Sequence, residues 1–266
     1  MTIAKAAYGV DRIERSLRVS AIPYLYDIAK DHIPDHASWS MMGYNAALTT
    51  TQETLWPNSS EYAFPTAKGQ LEVVSSDNTQ DKANGTGALT VEVNYLRDDY
   101  SEGSVTLTMN GTAAVATGAS HADIWRVNSF HVKTTGTNLA PVGNLTLRGA
   151  SGGATYGYIP AGKTRARTAV YTVPLGKTLY ITSFGASAVG IKYVLFTLHA
   201  NCDPDTLALL QRGLFFPLAE VALMDTAYNK LLDIPLRLPA TTDFKVSATA
   251  EAAAIGTCHL RGWLEG

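Results

Sequence analysis

The chain is short of charge. Asp, Glu, Lys and Arg make up 17% of its 266 residues, and the net charge is −2. Soluble domains usually carry about a quarter. A weakly ionic surface of this kind suits a subunit that buries much of itself against partners. The balance leaves no basic field for a nucleic-acid backbone, so no nucleic-acid partner is expected. Cysteine is nearly missing. Cys202 and Cys258 lie far apart, too few for a disulfide framework, and read as small buried apolar residues of a reducing compartment. No apolar run is long enough to span a bilayer, and Met1 to Tyr8 lacks the apolar stretch of a signal peptide. The expectation is therefore a protein made and folded in a cytosol, with no membrane partner.

Catalytic grammar is equally sparse. There is no Gly-x-Ser-x-Gly elbow, no phosphate loop and no dinucleotide fingerprint. His199, Cys202, Cys258 and His259 are groups that zinc uses, but Cys258 and His259 are adjacent on an expected strand and so point to opposite faces. Asp77, Asn78 and Asp81 sit in a polar loop from Ser76 to Gly87. Their spacing does not fit an EF-hand, and a plain loop is the reading. Glu220 and Asp225 flank a short apolar segment without marking a glycosidase pair. The basic stretch Lys163 to Arg167 reads as a solvated or interfacial strand end. No catalytic residue, cofactor or metal is assigned, and the expectation is that the chain is not an enzyme.

What the chain does have is alternation. Leu89, Val91, Val93 and Tyr95 alternate with Thr90, Glu92 and Asn94, which is the period of a half-buried strand. Val105, Leu107 and Met109 repeat it, Asn110-Gly111 reads as a hairpin turn, and Ile124, Val127, Phe130 and Val132 follow. Leu71 to Ser75, Leu145 and Leu147, Leu179 to Ser183, Phe244 to Ala248 and Cys258 to Trp263 continue the pattern, whereas Ile191 to Leu198 is nearly continuous in apolar and β-branched residues, as a strand covered on both faces would be. About a dozen short strands at roughly 10–15-residue spacing define an all-β, antiparallel β-sandwich of jelly-roll-like type. The expected divisions are an N-terminal arm or lead-in over 1–56, a first β-sandwich part over 57–162 and a second over 163–266, the last two separate or continuous.

Residues 1–44 break the alternation and hold Pro23 and Pro34. Tyr24, Tyr26, Ile28, Met41 and Met42 are apolar without a clean period, and each large side chain is worth about 1.5–3 kcal/mol when fully buried. They are the candidate partner-binding residues, on an irregular arm that a neighbouring subunit covers. Deleting 1–44 is then expected to leave a folded core that no longer assembles.

Several short pieces, in order along almost the whole chain, resemble a family of tailed-phage virion structural proteins. They include Ser16–Ser20, Thr50–Pro57, Tyr62–Pro65, Leu71–Ser76, Gly85–Ala88, Val105–Thr112, Trp125–Asn128, Ala169–Pro174 and Ile234–Leu236. Ala21 to Tyr44 has no matching motif. The resemblance implies a non-enzymatic β protein of a virus particle, a capsid decoration or cement subunit. Such a subunit would be made in the host cytoplasm and located on the virion, with the major capsid protein or another virion protein as partner. Low charge, the apolar C-terminal strand ending in Trp263-Leu264 and the symmetry of capsid sites point to a homotrimer. The alternative is a neck, collar or tail component that binds the host, which an exposed cluster of Tyr and Trp would mark.

Overall fold

The computed structural model describes residues 8–11, 18–21, 24–190, 192–201 and 214–266. Leu207 to Leu210, a segment whose sequence allows a helical turn, and Cys202 lie outside these. The chain is 56% strand and 4% helix, in antiparallel sheets. No helix among the described residues is long and apolar enough to cross a membrane.

In chain order, β1 (Tyr8–Asp11) and β2 (Arg18–Ala21) pair with each other. The α-helix α1 (Tyr24–Ala29) precedes β3 (His36–Leu48) and the short β4 (Glu53–Thr54). Then come β5 (Leu71–Ser75), β6 (Ala88–Arg97), β7 (Glu102–Thr108), β8 (Val115–Ala116), β9 (Ile124–Thr135), β10 (Leu145–Gly149) and β11 (Thr155–Ile159). The last group is β12 (Val170–Thr172), β13 (Thr178–Val189), β14 (Val194–Asn201), β15 (Phe216–Leu223), β16 (Thr226–Leu238), β17 (Asp243–Ala250) and β18 (Ala254–Glu265).

These strands build two sandwiches. The first faces sheet β7-β6-β9 against sheet β11-β10-β5-β8. Val91, Val93 and Tyr95 of β6 turn inward with Val73, Leu107, Phe130, Leu145 and Leu147. The polar residues between them face water, as alternation requires. The second faces β16-β13-β18-β3 against β12-β17-β14-β15, with β4 beside β17. Its core includes Leu179, Ile181, Phe184, Phe196, Val246 and Leu260. A bulge between Ile181 and Ser183 resets the phase of β13. Leu179 and Ile181 point inward before it, and Phe184, Ala186 and Ala188 after it. Strand β14 lies between β17 and β15; Val194, Phe196, Leu198 and Ala200 turn into the core while Leu195 on the other face is 40% exposed, so the expected cover on both faces is only partial.

Two expectations are corrected. Asn110-Gly111 does not close a hairpin. Gly111 has φ +62°, and its N–H donates to the Asp81 carbonyl. Strand β8, which follows, pairs with β5 of the facing sheet rather than with β7, so the turn carries the chain across the sandwich. The irregular arm is also shorter than expected. Residues 36–48 form a 13-residue strand hydrogen-bonded along β18. Trp39 enters the second core, edge-on to Tyr171 at 5.3 Å and Phe244 at 5.8 Å. A Cβ on Gly43 would lie 2.5 Å from Ala169 Cβ and 2.7 Å from the Leu55 carbonyl oxygen, so this close approach needs glycine. The segment looks aperiodic because one face holds Trp39, Met41 and Gly43, and the other holds the small polar residues Ser38 and Ser40. The second core therefore draws on residues from both before and after the first sandwich.

Candidate interaction sites

The two sandwiches are joined by buried polar groups. Arg126 lies in line with Ile124 on β9, and Asp243 opens β17. Arg126 is 4% exposed and Asp243 2%. The Arg126 Nε donates to Asp243 Oδ1 at 2.9 Å, and Nη2 donates to Oδ2 at 2.8 Å. Nη1 donates to the Pro65 carbonyl at 3.0 Å, and the Thr172 hydroxyl donates to Asp243 Oδ1 at 2.5 Å. Burial works against the guanidinium charge, but the bonds and charge of Asp243 outweigh it and hold Arg126 above its usual value. Beside this pair, the Asn128 side-chain amide donates to the Thr172 carbonyl and accepts from the Thr172 N–H, both at 2.9 Å.

Between the sandwiches runs a cleft of about 1210 Å³, bordered by β3, β18, β7, β9 and residues 163–168. That 163–168 strap is held at both ends. The Val132 N–H donates to the Thr164 carbonyl at 2.8 Å, and the Ala166 N–H to the Phe130 carbonyl at 3.0 Å. Beyond them, the Tyr44 N–H donates to the Arg167 carbonyl at 3.1 Å. Arg167 covers the Tyr44 ring at 4.2 Å. The stretch read as an interfacial strand end is thus a bridge from one sandwich to the other, with its cations along the cleft. Exposed Lys163 and Arg165 stand on the strap, and exposed Arg261 on β18. Among the described residues no carboxylate lies in ion-pair range of these three, whereas the cleft's Glu102 is held by Lys177 at 2.6 Å. Next to the strap, burial lowers the pKa of His131 against the pull of Glu92, and Arg165 and Lys133 lower it further. Thr168 Oγ1, also in the cleft wall, is buried with no hydrogen-bond partner.

The five candidate partner-binding residues do not form one surface. Tyr24 and Tyr26 are exposed on α1, and Met42 is exposed in the cleft. Ile28 is 2% exposed on the face of α1 that packs on β3, and Met41 is half-buried against the second core, so both are corrected to structural residues. The Tyr24 hydroxyl and His36 Nε2 are 2.7 Å apart, and the Tyr24 ring meets Trp263 edge-on. Met42 is six residues along β3 from His36, about 20 Å at strand rise.

The remaining candidates have structural partners. Asp81 is fully buried, and its carboxylate accepts from Ser75 Oγ at 2.7 Å and from the N–H groups of Ala88, Val142 and Gly143 at 2.8–3.0 Å. Backbone bonds, chiefly from Gln80, depress the pKa of Asp77, which caps the turn. Cys258 lies in the second core, where burial raises its thiol to about 12, while His259 faces the cleft. Glu220 accepts from Thr197 Oγ1 at 3.2 Å on the outer side of β15, and Asp225 sits in a turn. No group of three or more His, Cys, Asp or Glu among the described residues gathers to hold a metal ion. The sequence reading missed Arg126 and Asp243. Their signal is a charged residue in line with the inward apolar Ile124.

The arrangement defines an all-β chain of two locked sandwiches with a cation-lined cleft between them. No family model matches the chain, and no curated protein matches it. Among solved structures, one of the Gt strain of infectious bursal disease virus aligns at 13% identity, covering 91% of this chain and 77% of that one. Its TM-score is 0.18, too low to carry an argument.

Proposed function

We propose that the chain is a virion structural protein, a capsid decoration or cement subunit that assembles as a homotrimer and bridges neighbouring capsomers. The observation that carries this reading is the side of the second sandwich where β15 and β16 meet. Each is the edge strand of its sheet, and a turn at Met224-Asp225 joins them. Phe216 is 58% exposed, Leu231 74% and Ile234 84%. Exposed apolar side chains on two open sheet edges mark a surface that another copy or a shell protein covers. Pro217 and Pro235 remove donors from these edges, which disfavours open-ended strand pairing and leaves side-chain burial as the mode of contact. Contacts of standard size, roughly 1,600 Å², repeated around a shell reinforce it without any one being tight.

The aromatic features of a host-binding tip are weaker. Trp39, Trp56 and Trp263 are buried, and Trp125 is half-buried under Arg126 at 4.4 Å. The test is sedimentation of the purified chain beside the double variant Leu231→Glu, Ile234→Glu. A trimer that the variant converts to folded monomer supports the reading. A wild-type monomer at micromolar concentration, free and after release from particles, overturns the trimer.

A further inference from the structure

The cleft between the sandwiches combines an open strand edge with cations that have no carboxylate partner among the described residues. Tyr44 donates its N–H to Arg167, away from β18. Residues of the same parity on an antiparallel strand direct both N–H and C=O to that same side. Ser38, Ser40 and Met42 therefore present their backbone groups to the side opposite β18. The strap pairs with β3 only at Tyr44, and β3 has no other strand partner among the described residues. The free edge from Ser38 to Met42 runs about 13 Å at strand rise and lines the cleft. Lys163, Arg165 and Arg261 stand around it without carboxylate partners among the described residues. The strap that bears two of them is fastened to both sandwiches, so their positions are set before any partner arrives.

We propose that this cleft captures an extended acidic peptide from a partner protein. The peptide adds a strand to β3, and its carboxylates meet Lys163, Arg165 and Arg261. The two observations select this occupant together. An open edge needs a partner backbone with its own N–H and C=O groups, which a peptide has and a nucleic acid lacks. The cations need acidic side chains, and the charge complementarity sets which peptide enters. On β3 itself neither aromatic ring is open for base stacking, because Trp39 is turned into the core and Tyr44 is covered by Arg167. That the peptide belongs to a virion protein rests on the function proposed above. Capture itself is a property of the isolated chain, so its failure is distinguishable from failure of the virion reading.

The experiment is fluorescence anisotropy with the full chain and three labelled probes at low salt. These are a capped peptide of alternating Glu and Val, the same peptide with prolines at one central Val and one central Glu and the lost Glu restored at its end, and a single-stranded oligothymidine. The expected result is saturable binding of the first probe, weakened at least tenfold by Arg165→Glu with Arg261→Glu and by raising salt. The proline-bearing probe is expected to bind at least tenfold more weakly. A thermal melt of the double variant that matches wild type shows that the fold is intact. Should that variant melt lower, Lys163→Glu serves in its place, on the exposed strap. No binding of the acidic peptide overturns the proposal. Equal binding of the proline-bearing probe overturns strand addition, and tighter binding of the oligonucleotide identifies a nucleic-acid surface instead.

Discussion

Replacing Arg126 with Ala tests what holds the two sandwiches as one body. The guanidinium donates to both carboxylate oxygens of Asp243 and to the carbonyls of Pro65 and Trp125. It also lies 4.4 Å over the Trp125 ring and 5.4 Å from the Phe64 ring. Removing it leaves the Asp243 charge 2% exposed without its cation. Breaking a buried pair by deleting one partner costs about 3–5 kcal/mol. The lost ring contacts add roughly 0.5–2 kcal/mol. A domain is stable by only about 5–15 kcal/mol, so the loss is a large share. Arg126→Ala with Asp243→Asn is expected to cost less than the sum of the single changes, because the neutral amide leaves no buried charge uncompensated. The assay is urea unfolding followed by tryptophan fluorescence. The wild type is expected to unfold in one transition and Arg126→Ala in two, with the coupling between sandwiches lost. A single transition within about 0.5 kcal/mol of wild type, the range of ordinary surface substitutions, refutes the latch.

Asp81→Ala is expected to destabilise the first sandwich by about 2–4 kcal/mol by orphaning one hydroxyl and three N–H donors, read as a lower urea midpoint. Calcium is expected to leave that midpoint unchanged. Deleting residues 1–23 is expected to leave a cooperative melt, whereas deletion through residue 44 removes Trp39 and most of β3 and is expected to unfold the second sandwich; equal melts for the two truncations count against this. Acid is expected to destabilise in two stages. His131 and His199 have pKa values lowered by burial from 6.5, so the unfolded chain binds more protons than the folded one as pH falls through that value. The carboxylates of Glu92, Asp99 and Asp123 are depressed chiefly by hydrogen bonds from Lys133, Ser101 and Arg97. The stability they contribute is present above their unfolded values and is lost as pH falls through the folded ones. A pH-stability profile that is flat between 7 and 5 contradicts the histidine part.

Alternation made the β class and most strands of the first sandwich legible. Val91, Val93 and Tyr95, or Leu71 and Val73, report a period that no helix shares. Three kinds of feature were not legible from local sequence. Bulges such as the one at Thr182 change the phase, so a single alternating template misplaces the residues after it. Edge strands such as β3 mix a buried aromatic with glycine and serine, and resemble irregular chain. Long-range pairing sets the rest. Asn110-Gly111 is a turn signal that says nothing of which strand comes next, and Arg126 finds Asp243 only through the docking of two sandwiches. The cleft was visible only as the Lys163 to Arg167 stretch, since the cations gain meaning from the open edge of β3 beside them.

Copy number in purified particles tests the virion reading most directly. The chain and the major shell protein are quantified together by mass spectrometry with labelled standards. A decoration subunit is expected in a fixed ratio to capsomers, at hundreds of copies per particle. Roughly a dozen copies or fewer would assign the chain to a neck or tail, and its absence from particles would remove it from the virion altogether.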